Sequence, residues 1–209
     1  MSRCVIIGGA SIKDYPVVKG YLRPDDWIVC CDSGLKHREG LGVKADLVVG
    51  DFDSHPQPSD PELEIIRLPC EKDDTDTMFA AHEAVKRGYK DILLLGVLGD
   101  RMDHSLCNIY LLLWLFGHGC HALAVDDLSE MEIIGPGRPG LVADSFPFFS
   151  LLNISGCAKG ISITGAKYPL EGYELLPDYQ LAVSNEPLPG ETARISLEEG
   201  SLLLIRDRS

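Results

Sequence analysis

No C-x-x-C pair occurs among the seven cysteines of this 209-residue chain, so neither a zinc site nor a redox dithiol is signalled. The odd count and the apolar surroundings of Cys4, Cys30, Cys31, Cys107 and Cys120 point instead to buried free thiols in a reducing compartment. Positive charge is scarce: 19 basic against 32 acidic residues leave a formal net charge of -13. That balance makes nucleic acid and anionic membranes poor partners. It does not exclude a nucleotide, because a bound divalent cation reverses the local sign, and it suits an organic cation as substrate. No apolar run is long and clean enough for a membrane span. The best, Leu106 to Val125, is broken by Asn108 and by Gly117 to His121, and predicts a buried helix, a glycine break and a strand. The first residues carry no secretory pattern, since charge arrives at Lys13 and Asp14. A cytoplasmic location is expected. Also missing are G-x-x-x-x-G-K-[ST] and any full G-x-G-x-x-G after a strand, which disfavours P-loop and NAD-linked enzymes.

What is present is a regular alternation. Short apolar runs at Cys4 to Ile7, Trp27 to Cys31, Leu47 to Val49, Glu64 to Leu68, Ile92 to Leu95 and His121 to Val125 each end in glycine or polar residues. Between them lie helical stretches. The clearest is Thr75 to Arg87, with Met78, Ala81, Ala84 and Val85 at helical spacing and Gly88 as a stop. This predicts an α/β domain with a parallel sheet, ligands being bound where the strands end. After about Asp127 the character changes, placing a boundary near 127–140, and from Met131 on the pattern is short apolar runs punctuated by Gly and Pro. Phe148 to Ile154, Gly160 to Thr164, Gln180 to Val183, Ala193 to Leu197 and Leu202 to Ile205 are the predicted strands of a small all-β sandwich or barrel. The expected division is 1–130 and 131–209, with Pro136 to Gly140 as a loop.

Three strand ends concentrate the chemistry. Asp51 and Asp53 in G-D-F-D-S are one residue apart. In an extended segment their carboxylates share a side while Phe52 points inward. Two hard oxygens there suit Mg²⁺; a polar turn closed by Ser54 is the competing explanation. Lys72, Asp73, Asp74, Thr75 and Asp76 open the predicted helix, with Asp73 or Asp74 as N-cap. Three carboxylates beside a lysine exceed what capping needs, and Lys72 is placed to meet a phosphate. The third is Gly96 to His104, where glycines admit a bulky anion, Arg101 can bind phosphate and Asp103 adds a carboxylate. His104 serves either chemistry or the start of the next helix.

The ordered set D-S-G (Asp32 to Gly34), A-D-L-V-V-G-D-F-D-S (Ala45 to Ser54), K-D-D-T-D (Lys72 to Asp76) and G-x-L-G-x-R-x-D-H (Gly96 to His104) resembles thiamine pyrophosphokinase of the bacterial type. The resemblance continues through T-G-A-K-Y-P-L (Thr164 to Leu170) and V-S-N-E (Val183 to Glu186), so it spans nearly the whole chain. It implies transfer of pyrophosphate from ATP to the hydroxyethyl group of thiamine, giving thiamine diphosphate and AMP. It implies Mg²⁺ held by Asp51, Asp53 and Asp76, with Asp73 and Asp103 close to the phosphates or the attacking hydroxyl. Lys72 and Arg101 would steady the polyphosphate, and Asp32, Gly34, Gly99 and His104 fall on the nucleotide side. A homodimer is implied, with thiamine between the α/β part of one subunit and the β part of the other. Ser184 and Asn185 are then candidate pyrimidine contacts, and Tyr168 is either an aromatic face for a cation or plain packing. The chain departs from the family pattern at Ser33, Leu35, Lys36 and Asp100, which bears on the adenosine contacts more than the metal; Lys36 is itself a candidate phosphate ligand. A pyrophosphokinase acting on another alcohol, such as a pterin, and a non-enzymatic ligand sensor are the alternatives.

Overall fold

Aliphatic and β-branched runs form β1 (Cys4–Ile7), β2 (Trp27–Cys31), β3 (Leu47–Gly50), β4 (Glu64–Arg67), β5 (Asp91–Leu95) and β6 (His121–Val125). The computed structural model describes residues 2–52, 58, 60–61, 63–69, 74–180 and 182–209. The chain divides into two compact units, Met1–Asp127 and Leu128–Ser209. In the first unit the six strands pair in parallel in the order β4-β3-β2-β1-β5-β6. Every residue of β1 and β3 is buried, as a parallel strand covered on both faces requires. Cys30 joins the core with Val5 and Ile7, while its neighbour Cys31 bonds Thr77 of the helix beyond β4, so adjacent thiols do face opposite ways. The described cysteines are all free.

The helices are α1 (Tyr15–Lys19), α2 (Arg38–Leu41), α3 (Asp76–Lys86) and α4 (Met102–Gly117), with a tight 3-10 turn at Asp32–His37. In α3 the cap is Thr75, not an aspartate before it: Thr75 Oγ1 accepts the Met78 amide at 3.2 Å. Asp76 therefore sits in the first turn, where the helix dipole favours it, and Ala80, Ala81 and Ala84 let the helix lie close on β1 to β3. Leu111, Leu112 and Leu115 are the buried face of α4. No helix among the described residues is long and apolar enough to cross a membrane.

The strand order matters for function. The chain steps outward from β1 to β4 and then resumes on the other side of β1 at β5, so the order reverses between β1 and β5. Such a reversal opens a crevice at the carboxyl ends of the strands.

The second unit holds β7 (Ser129–Ile134), β8 (Gly140–Ala143), β9 (Phe148–Leu152), β10 (Ala158–Thr164), β11 (Leu170–Leu175), β12 (Thr192–Ser196) and β13 (Leu202–Asp207). β13 pairs antiparallel with β7 and β9, and a second antiparallel sheet runs β11-β10-β12-β8. Phe149, Leu151 and Leu204 from one layer share a core with Ile161, Ile163 and Ile195 from the other, which makes a sandwich. β7 begins at Ser129, two residues before the expected division at 130/131, and Gly140 opens a strand instead of closing a loop. Of the strand expected at Gln180 to Val183, residues 180, 182 and 183 lie in none. Gln180 instead trades side-chain bonds with the Asn153 backbone at 2.9 and 3.0 Å, and Ala182 accepts once from Leu151 at 2.7 Å.

Candidate active site

A cavity of about 430 Å³ lies where the first unit's strand order reverses. Its walls are strand ends and one helix start: Gly8 to Ala10 after β1, Asp32 after β2, Asp51 after β3, Gly96, Val97 and Gly99 to Arg101 after β5, and Thr75 to Thr77 at the start of α3. His104 and Asn108 reach it from α4. The backbone approaches too closely for side chains at the centre. A Cβ on Gly8 would stand 2.6 Å from the Gly96 carbonyl oxygen, and Gly96 itself has φ of 59°. Gly99 also lines the cavity, with φ of 93°.

Several expected residues meet here. Asp32, Asp51, Asp76, Gly99, Arg101 and His104 all line the cavity. Asp53, Lys72 and Asp73 lie outside the described residues. Gly34 is a packing residue instead of a lining one: its Cβ would fall 2.1 Å from the Ile7 carbonyl oxygen, so it lets the 3-10 turn rest on β1. Asp103 does not line the cavity either. It is exposed and forms a two-bonded ion pair with Arg101 at 2.6 and 3.2 Å, which holds its carboxyl below the usual range and makes it a weak base. That pair stands in water, so a polyphosphate of higher charge can take the guanidinium over. The backbone through G-D-F is also not extended. Phe52 has φ of 61°, though its ring still packs on the first unit's core. The side-sharing of Asp51 with its neighbour therefore cannot rest on strand alternation.

Three of the residues where the chain departs from the family pattern, Ser33, Lys36 and Asp100, meet the loop after β1. Lys36 Nζ donates to the Gly9 carbonyl at 2.5 Å, and the Asp100 carboxylate accepts from the Ser11 amide and hydroxyl at 2.7 and 2.9 Å. Asp100 has φ of 54°, a conformation in which glycine is the easy choice. Ser33 Oγ fills the space above Gly9, 1.8 Å from where a Cβ would stand. Lys36 is thus a brace of the loop after β1.

Sequence reasoning overlooked Asn108 and Ser105. Asn108 is buried and donates from Nδ2 to the Val97 carbonyl at 2.7 Å; Ser105 Oγ accepts the Gly99 amide at 3.0 Å. One turn apart on α4, they fix the loop after β5. The signal available was a polar pair within an apolar helix. Cys31, at the cavity floor, is pushed well above the ordinary thiol range by burial and by Asp76, so it stays protonated and offers no nucleophile.

For a divalent cation, the donor chemistry fits. Asp51 and Asp76 bring hard oxygens to one cavity. Among the described residues no group of three or more metal-ligating side chains is assembled. Two carboxylates, with phosphate oxygens and water completing the shell, are what Mg²⁺ takes at nucleotide sites.

In the second unit, Tyr168 is exposed while Asn185 is buried. The Asn185 amide is spent on the backbone: Oδ1 accepts from Tyr168 N at 3.1 Å and Glu186 N at 2.9 Å, and Nδ2 donates to Tyr168 O at 2.8 Å. Asn185 shapes the segment that carries Tyr168. Ser184 is exposed at φ of 56°, its amide held by Ser150 Oγ at 3.1 Å.

Comparison with known proteins agrees with this division. Residues 18–124 match the thiamin pyrophosphokinase catalytic domain, and residues 141–202 match the vitamin B1 binding domain of thiamin pyrophosphokinase. A thiamine pyrophosphokinase of Bacillus subtilis (strain 168) is 26% identical over 209 residues, covering 96% of each chain. The crystal structure of thiamine pyrophosphokinase from Bacillus subtilis matches with a TM-score of 0.88 at 23% identity over 100% of both chains. That of thiamin pyrophosphokinase from Geobacillus thermodenitrificans gives 0.85 at 28% identity, over 99% of this chain and 98% of that one. With its catalytic model matched across more than half its length and its sandwich matched to the vitamin-binding module, the chain belongs to the thiamin pyrophosphokinase family.

Proposed function

We propose that the cavity of the first unit binds the triphosphate of ATP with Mg²⁺, and that the terminal pyrophosphoryl group passes to the hydroxyl of thiamine. The observation that carries this reading is one cavity holding Asp51 and Asp76 together with two glycine-lined loops and Arg101, at the sheet's reversal point. Asp51 and Asp76, with Asp53, would hold the ion, whose chemistry there is neutralisation of phosphate charge. The backbone of Gly8 and Gly96 lets the polyphosphate come close. Arg101 leaves Asp103 to offset charge that develops on the transferred group. The thiamine hydroxyl oxygen forms its bond to the β-phosphorus as the bond to the oxygen bridging α and β breaks, and AMP departs. The hydroxyl proton passes to a carboxylate or to water, since a loose transition state asks little of a base. The vitamin B1 binding match favours thiamine over a pterin as acceptor.

The reading extends to assembly: two copies pair so that thiamine lies between the α/β part of one subunit and Tyr168 and Ser184 of the other. The site is tested with Asp51→Asn and Asp76→Asn in an assay of thiamine-dependent AMP release. Loss of a residue that merely supports a metal ligand costs 10–100-fold, so each of these should lower kcat by more than about 100-fold. Near-normal rates in both sink the metal assignment.

A further inference from the structure

Tyr168 is 58% exposed, yet its backbone is clamped from both sides by the Asn185 amide. The residues before it are fixed too: Lys167 N donates to the Glu186 carbonyl at 2.8 Å, and Ala166 bridges to Pro187. The ring is thus open to a ligand and carried on a hydrogen-bonded backbone. A cation of the chain itself lies there. Lys167 Nζ stands 5.5 Å above the Tyr168 ring centroid and is tethered by an ion pair with Glu186 at 2.7 Å. Glu186 and the ring keep that ammonium charged, above its ordinary range.

We propose that Lys167 is a built-in cation occupying the Tyr168 face until the cationic substrate displaces it, so that Lys167 sets how this site weighs charged against neutral ring ligands. The inference rests on the reading that Tyr168 is a substrate face. The two cations compete for one face. An aromatic face attracts one positive charge through its quadrupole, and a second cation arriving there meets both an occupied face and a like charge. A neutral ring of the same shape meets only the first. Glu186 gives the displaced ammonium somewhere to remain, so displacement does not need the ion pair to break.

The test uses the full chain, with Lys167→Met to remove the charge while keeping the stem, and Tyr168→Ala to remove the face. Acceptor KM is measured for thiamine and for a neutral analogue in which thiophene replaces the thiazolium. Lys167→Met should lower the thiamine KM on the order of two- to fivefold, the range of one exposed cation–π contact, with kcat and the ATP KM unmoved and a smaller gain for the neutral analogue. An unchanged or raised thiamine KM overturns the proposal, as does an equal gain for both acceptors, which would mean relief of crowding and not of charge. Tyr168→Ala should raise the thiamine KM. If it does not, the substrate-face reading itself fails, whatever Lys167→Met does.

Discussion

His37 is buried under the loop that follows β1, and its two ring nitrogens have different partners. A carbonyl only accepts, so Nε2, 2.9 Å from the Ala10 oxygen, carries the proton, and Nδ1 accepts from the Tyr15 hydroxyl at 2.8 Å. Burial pushes the ring below its ordinary value near 6.5. A depressed histidine contributes full stability where the unfolded ring is also neutral, above about pH 6.5, and that stability is lost as pH falls through the folded value. Urea unfolding at pH 7.5 and 5.5 should therefore show a larger acid loss in the natural chain than in His37→Gln. The variant should be weaker at pH 7.5 by about 1–3 kcal/mol, because the Ala10 carbonyl or the Tyr15 hydroxyl loses its partner. Equal acid losses contradict the assignment. At this scale the sequence was informative about aspartates and poor about partners. Asp51 and Asp76 declare themselves by following strands or opening a helix. Nothing in the letters says that Arg101 is engaged with Asp103, or that the Asn185 amide is spent on Tyr168, because those pairings depend on backbone directions in turns.

Among the elements, α4 shows how a helix can act as a brace for a loop. Ser105 and Asn108 occupy buried positions where leucine would add apolar contact, and both bond the chain between Val97 and Gly99. Asn108→Leu should leave the Val97 carbonyl without its donor, cost about 1–3 kcal/mol in stability, and raise the ATP KM more than the thiamine KM. Equal rises in the two KM values would place the effect in general folding. The inner parallel strands β1, β2, β3 and β5 were plain in sequence because burial on both faces makes them nearly continuous apolar runs. β7 was hidden, since Glu130 and Glu132 interrupt its apolar pattern. They are tolerated there because Arg206, itself buried, pairs with both. β11 was hidden for the opposite reason: most of Leu170–Leu175 is exposed, so no alternation of apolar residues marks it. The expected strand at Gln180 to Val183 shows the reverse error: Gln180 and Ala182 are held by side-chain and single backbone bonds, and residues 180, 182 and 183 lie in no strand.

At the scale of the molecule, a net charge of -13 coexists with a polyanionic substrate only if cations intervene, and it favours a cationic acceptor. The proposed assembly adds a requirement that a single chain cannot meet. If each site combines the first unit of one copy with the second unit of another, Asp76→Asn and Tyr168→Ala damage different halves. At a thiamine concentration too low for Tyr168→Ala alone to turn over, unfolding and refolding an equal mixture of the two variants should recover about a quarter of natural activity, because half the dimers are mixed and each of those regains one intact site. A mixture no more active than its parts contradicts the shared site.

In the proposed reaction a pyrophosphoryl group moves as a unit. That transfer is tested most directly by incubating the chain with ATP, Mg²⁺ and thiamine and identifying the products by mass. Thiamine diphosphate and AMP should form in equal amounts, with AMP formation dependent on thiamine and abolished by chelation of the metal. Thiamine monophosphate with ADP, or AMP released at the same rate without thiamine, would contradict it.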